Sequence, residues 1–299
     1  MYKRLENCPV CNGSEFKNTI ICKDYLVSQE SFVIVECQKC KFSFTNPRPI
    51  ESELSRFYNS DEYISHNSSG RNLINSVYKI ARHFTLRGKL NLVKKVKNSS
   101  SKQILDVGCG TGDFLNLCNR KGWKSYGVEP NDKARTKASI FNKNKVVANI
   151  SEIDTNNFDI ITLWHVLEHI PDLNKTIDNL KEILSSKGKL IVAVPNNSSW
   201  DAEHYKQHWA AYDVPRHLYH FTQQSFSLLM KKHKLKIEAI IPMKLDSYYV
   251  SLLSEKYQQQ DKISKGNIYI NSILNGYKSN SYAKKHANNF SSLIYIIKK

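Results

Sequence analysis

The chain has 299 residues, of which 40% are hydrophobic and 24% charged, and it carries a formal net charge of +17 at pH 7. That length supports one main domain with an appendage, and the balance is that of a soluble globular protein. No apolar run reaches the roughly 18 residues a membrane-spanning helix needs, and the opening MYKRLENCPV lacks the apolar middle of a secretory signal, so the cytoplasm is the expected compartment.

The first 48 residues hold two cysteine knuckles, CPVC (Cys8, Cys11) and CQKC (Cys37, Cys40). A C-x2-C knuckle turns two sulfurs toward one ion, and a second knuckle completes a tetrahedral four-thiolate shell, so residues 1–48 read as a zinc ribbon. SFVIVE and KFSFTNP are its expected strands. Four sulfurs leave no position for substrate, so the zinc is expected to be structural and to supply much of the folding energy of a thin-cored module. A redox role needs only one such pair. Cys22, Cys109 and Cys118 lie in apolar surroundings and read as core thiols.

Residues 49–100 read as a helical linker or lid, with a short helix over Glu51 to Tyr58 and a longer amphipathic helix or pair of helices from Asn72 to Lys97. Tyr58, Tyr63 and His66 are the residues expected to close over a ligand. From residue 101 to 244 strands and helices alternate. QILDVG leads to a helix from Asp113 to Lys121 closed by Gly122; SYGVE leads to a helix from Asp132 to Phe141; KVVAN follows. FDIITLW leads to a helix from Asn174 to Leu184, Gly188 reads as its capping glycine, and GKLIVAV follows. Thr222 is the expected N-cap of a further helix, before LKIEAII. Such alternation gives a parallel sheet with helices on both faces, whose ligand lies at the carboxyl ends of the strands. Residues 245–299 read as a helical insertion, Asp246 to Phe290, and a last strand, SLIYIIK.

ILDVGCGTGDF is the turn that would hold that ligand. Gly108, Gly110 and Gly112 alternate, and Asp113 stands where a dinucleotide turn has its third glycine. With Asp106 before the glycines, two carboxylates flank a place where pyrophosphate would sit against a helix N-terminus. They suit instead a ligand with an ammonium and a sulfonium and no phosphate, S-adenosylmethionine. Glu129, ending the second strand in YGVEP, is placed to accept hydrogen bonds from ribose hydroxyls, although that residue alone would also serve NAD.

LDVGCGTGDF, YGVEP and FDIITLWHVLEHIPD together resemble class I S-adenosylmethionine-dependent methyltransferases, most closely the bacterial ones with an N-terminal zinc ribbon. The resemblance runs from the knuckles to DVPRHLYHFT and implies a Rossmann-like sheet of seven strands, the last antiparallel, with helices on both faces. It also implies that Asp106, Gly108, Cys109 and Gly110 line the methionine and ribose, that Glu129 and Pro130 hold the ribose, and that Asn149 and Ile150 flank adenine. Asn149 stands where many relatives have an acidic residue. Leu163, Trp164 and His165 would end the fourth strand where the methyl group emerges, with Tyr63 above.

Methyl transfer is an in-line displacement at an activated carbon, so alignment is the main task, and a base matters only when the acceptor must lose a proton. His165 is the first candidate base, or equally a wall of the pocket. Glu168 and His169 are expected to brace the loop. HWAAYDVPRHLYHFT would dock the acceptor, with His217 in the catalytic set and Arg216 either gripping an acceptor carboxylate or phosphate or pairing with Asp213. The leading reading is a methyltransferase for a small molecule or glycan precursor. An RNA methyltransferase gripping nucleic acid through the ribbon and basic surface is second, although NLVKKVKNSS and MKKHKLK have few interleaved aromatics and read as solvated faces. A non-catalytic ribbon module that binds protein is third.

Overall fold

The structure is a computed structural model that describes residues 1–58, 73–98, 101–141, 145–263 and 266–299. In chain order the N-terminal strands are β1 (Tyr2–Lys3), β2 (Phe16–Lys23), β3 (Ser31–Cys37), β4 (Ser43–Thr45) and β5 (Arg48–Pro49). Then come α1 (Glu51–Leu54), a 3-10 turn over Ser55–Tyr58, and α2 (Leu73–Val96). The alternating part comprises β6 (Gln103–Val107), α3 (Asp113–Arg120), β7 (Lys124–Val128), α4 (Asp132–Phe141), β8 (Val146–Val147), β9 (Phe158–Trp164), α5 (Leu173–Ile183) and β10 (Leu184–Pro195). After α6 (Trp200–Tyr205) follow β11 (Tyr219–His220), α7 (Gln223–Lys232), β12 (Lys236–Pro242), α8 (Asp246–Gln260), α9 (Ile268–Lys285) and β13 (Ser292–Lys298).

The main sheet has the order β12-β13-β10-β9-β6-β7-β8. Strands β10, β9, β6, β7 and β8 run parallel, while β13 is antiparallel to both β10 and β12. This is the expected seven-stranded sheet with a reversed last strand. Its middle strands read as largely apolar runs because helices cover both faces: Phe158, Ile160, Ile161 and Leu163 of β9 are fully buried. Strand order reverses between β6 and β9, which sets the ligand crevice at their carboxyl ends.

Gly188 is a correction. It lies inside β10, within the stretch where the register to β9 shifts between Leu184 and Lys189, and a Cβ there would meet the Phe158 carbonyl oxygen at 2.7 Å. The glycine admits a bulge against the neighbouring strand and does not cap α5. Gly122, at φ 76, does occupy the left-handed position after α3.

The ribbon is not a free-standing appendage. Its sheet has the order β11-β4-β3-β2, so Tyr219 and His220, from far along the chain, form its fourth strand by pairing with Phe44 and Ser43. Cys22, Tyr25, Phe32 and Ile34 pack in one cluster with Tyr205, Trp209, Val214, Val250 and Tyr257. Cys8, Val10, Phe42 and Phe44 join the main core with Leu218, Phe221 and Phe226. Cys22, Cys109 and Cys118 are buried thiols, as their surroundings imply.

Candidate functional site

The glycine turn leaves β6 and enters α3. Gly108, Gly110 and Gly112 take φ values of 70, 55 and 78, all in the left-handed region that glycine adopts without strain. A Cβ on Gly108 would lie 2.4 Å from Val166 Cγ2, whereas one on Gly110 would meet nothing within 4 Å. The turn is thus closed against the β9 loop on one side and open at Gly110. Glu129, at the end of β7, accepts the Gly110 N–H through Oε2 at 2.8 Å and the Asn131 N–H through Oε1 at 2.9 Å. Each of its oxygens retains a lone pair for a further donor.

Asp106 is 3% exposed, and its Oδ1 accepts a 2.5 Å hydrogen bond from Thr162 Oγ1. Burial pushes its carboxyl up to about 6; the Thr162 bond and the Lys89 charge pull the other way, while the Glu129 charge adds to the rise. Lys89 Nζ stands 4.6 Å from the Trp164 ring centroid, and Trp164 packs edge-on to Phe114 at 5.9 Å. Trp164 Nε1 is buried with no hydrogen-bond partner among the described residues. Asp113 takes the Thr111 hydroxyl at 2.7 Å in the first turn of α3, placing a carboxylate where a diphosphate would dock.

The remaining expected ligand residues occupy the same rim. Cys109 donates its N–H to the Val128 carbonyl, the Pro130 carbonyl accepts from Arg135, and Leu163 is buried at the end of β9. Asn149 is an exposed N-cap whose Nδ2 donates to Glu152 Oε1 at 3.1 Å, directly before Ile150. Tyr63 and His66 lie outside the described residues.

Beyond β9, His165 sits at φ 56 with both ring nitrogens engaged, Nδ1 to Glu168 Oε1 at 3.3 Å and Nε2 to Asp246 Oδ2 at 3.0 Å. Burial disfavours its charge, but the bonds to Asp246 and Glu168 and their negative charges outweigh that and push it up to about 10. An imidazolium so held keeps both its protons at neutral pH, shared in hydrogen bonds with the two carboxylates, so the geometry does not support a neutral base there. Asp246, the first residue of α8, carries no sequence signal for this contact, since it lies 81 residues from His165.

Glu168 is fully buried, and its Oε2 has no hydrogen-bond partner among the described residues. Near it His217 is fixed by a 2.8 Å bond from Nδ1 to the Ala211 carbonyl, and its Nε2 stands 4.0 Å from Glu168 Oε1 and 3.9 Å from Asp213 Oδ2. His169 stacks edge-on against His217 at 4.5 Å, and its Nδ1 lies 3.0 Å from Tyr58 Oη and 3.2 Å from the Arg216 carbonyl oxygen. Burial and the His217 charge push His169 down to about 4. One ligand atom each of Glu168, His169 and His217 lies within 4.8 Å of the others, a set able to share a proton or a cation.

Arg216 settles its alternatives by geometry. Its guanidinium is 1% exposed and is spent on Asp24 at 2.9 Å, Asp213 at 2.7 Å and the Phe57 carbonyl at 2.9 Å. It ties the ribbon and the linker to the loop after α6, and at 1% exposure the guanidinium is not presented to an acceptor anion, which corrects the gripping role. His220 is likewise structural, 4% exposed and 3.1 Å from Thr45 Oγ1.

The four ribbon cysteines lie together, with Cys8 Sγ to Cys40 Sγ and Cys11 Sγ to Cys37 Sγ both 3.5 Å. Sulfurs on a tetrahedron with bonds of about 2.3 Å are separated by about 3.8 Å, so the set fits a zinc ion after slight expansion.

A glycine turn at the switch point of a seven-stranded mixed sheet with flanking helices defines a Rossmann-like methyltransferase fold. A family model described as a methyltransferase domain matches residues 79–240, more than half of the chain, and the chain belongs to that family. An uncharacterized protein of Methanocaldococcus jannaschii is 31% identical over 140 residues, 46% of this chain and 60% of that protein. The ubiquinone biosynthesis O-methyltransferase of Coxiella burnetii is 28% identical over 118 residues, 37% of this chain and 50% of that protein. The matches therefore span only half to three-fifths of these relatives' length. The crystal structure of magnesium protoporphyrin IX methyltransferase from Synechocystis PCC 6803, with bound SAH, has a TM-score of 0.53 at 11% identity, covering 83% of this chain and 100% of that one.

Proposed function

We propose that the chain transfers the methyl group of S-adenosylmethionine to a small molecule or a glycan or cell-envelope precursor, with a structural zinc in the ribbon. The observation that carries this reading is the open face at Gly110 flanked by the carboxylates of Asp106 and Glu129, with Asp113 occupying the helix N-terminus. Opposite charge at short range favours a cationic donor, and the same carboxylates repel a diphosphate. The O-methyltransferase named among the relatives supports a small acceptor.

When bound, the donor supplies a methyl carbon already activated by its sulfonium. Glu129 would hold the ribose, Asp106 would face the cationic end, and Leu163 and Trp164 would wall the methyl exit. Charged His165, both of whose N–H groups are taken by Glu168 and Asp246, would border the acceptor side as a fixed positive charge. His217, whose Nε2 makes no hydrogen bond among the described residues, is the residue to receive a proton from an acceptor that must lose one.

Calorimetric titration with S-adenosylhomocysteine and with NADH tests the donor assignment. The former is expected to bind and, at a hundredfold excess over its dissociation constant, to stabilise the fold by about 2.7 kcal/mol. Binding of NADH with none of the sulfur nucleoside would overturn it.

A further inference from the structure

Helix α9 is built inside out. Its buried face is small and polar, with Ser272, Asn275, Gly276, Ser279 and Asn280. Its exposed face carries Ile270, Ile273, Leu274 and Tyr277, between 51% and 64% exposed. Hydrogen bonds fix this rotation. Asn275 Nδ2 donates to Tyr205 Oη and to Glu255 Oε1, both at 3.0 Å, and Ser279 Oγ donates to Asp201 Oδ1 at 3.0 Å. Asn280 Nδ2 donates to the Lys244 carbonyl at 2.9 Å. At Gly276 the helix meets α8 so closely that a Cβ would lie 2.9 Å from Tyr248 Cα. Turning the apolar stripe inward would break these bonds and force side chains into that contact, so the stripe is held outward.

At about 100° per residue the four apolar side chains fall within an arc of about 100°, and the exposed Lys278, Lys284 and Lys285 project from the same side toward the other end of the helix. The helix contains no acidic residue. One half of the outer face is therefore apolar and the other half basic.

We propose that this face of α9 docks the protein on an anionic lipid bilayer, with Ile270, Ile273, Leu274 and Tyr277 entering the interfacial region and the three lysines meeting the headgroups. An apolar stripe bordered by lysine, on a helix that does not span, is the chemistry of an interfacial anchor. Among the described residues no helix is long and apolar enough to cross a membrane, so attachment would be to one leaflet only. A second copy of the chain is a poorer occupant. Both partners would bring lysines and no acids, on chains of net charge +17, whereas anionic headgroups complement that charge.

The full-length chain should sediment with vesicles of phosphatidylcholine containing phosphatidylglycerol, remain free with phosphatidylcholine alone, and be released by salt. The triple variant Ile270→Ser, Ile273→Ser, Leu274→Ser should lose sedimentation at an unchanged melting temperature, because the replaced side chains are exposed. Changing Lys278, Lys284 and Lys285 to Gln should weaken binding about 100-fold, at roughly fivefold per lysine. No sedimentation of the parent chain, or sedimentation that survives the apolar triple variant, refutes the proposal. So does a dimer by light scattering that the triple variant makes monomeric, with vesicles ignored. All are read without methyl donor, so failure here is distinct from failure of the methyl-transfer reading.

Discussion

Replacing Asp106 by Asn should stabilise the ligand-free chain while weakening donor binding. The carboxyl is buried, and its rise from 3.8 to about 6 means that the fold disfavours the charged form. At about 1.4 kcal/mol per unit this is about 3 kcal/mol, present in full above pH 6. In the window from about 3.8 to 6 the folded chain holds a proton that the unfolded chain has released, so unfolding becomes easier as pH rises through it; below 3.8 the difference is gone. Asn has the same shape and can still accept the Thr162 hydrogen bond, so it removes the charge with little else. At a chain of this length about 3 kcal/mol is about 5 °C in melting temperature. Melts of both proteins at pH 8 and pH 4 should show Asp106→Asn higher by about that much at pH 8 and by only about 1 °C at pH 4, and calorimetry should show weaker binding of S-adenosylmethionine. A variant less stable than the parent at pH 8, or a gap equal at both pH values, would refute the reasoning.

Gly108→Ala forces a Cβ to 2.4 Å from Val166 Cγ2 at a φ of 70, which should lower the melting temperature and abolish the donor-induced thermal shift. Arg216→Met leaves buried Asp24 and half-buried Asp213 without their cation; a loss of about 3–5 kcal/mol in denaturant unfolding is expected, and at a temperature where the variant is folded the acceptor KM should be unchanged. Native mass spectrometry should find one zinc per chain, and Cys37→Ser should lose it together with a lower melting temperature, because metal binding is coupled to folding.

The main sheet was legible because its signals are local: a glycine turn, a carboxylate ending the next strand, and apolar runs such as FDIITLW that only a doubly covered sheet explains. The paired CxxC knuckles were legible for the same reason, since two short spacings already define a four-sulfur shell. What escaped was long-range. Two residues, Tyr219 and His220, are too few to read as a strand, and their partners, Phe44 and Ser43, lie far away in the sequence. Arg216 and Asp24, 192 residues apart, gave no sign of meeting, so a buried ion pair was open to reading as an anion grip. Gly188 misled because a glycine after a helix is ordinarily a cap, and only the neighbouring strand's carbonyl reveals why it is there. His165 drew attention through its place after β9, but the carboxylate that fixes its proton comes from an element with no motif of its own.

The two-residue strand β11 has a consequence for how this molecule could be rearranged. Because Tyr219 and His220 complete the cysteine-bearing sheet from within the loop that carries Arg216 and His217, the ribbon cannot be treated as a detachable cassette. Cutting away the first 48 residues would strip the loop of its sheet neighbour and of the Asp24 carboxylate in a single stroke. Grafting a foreign ribbon onto the sheet would require redrawing that loop to match, so the ribbon and the loop are bound to change together.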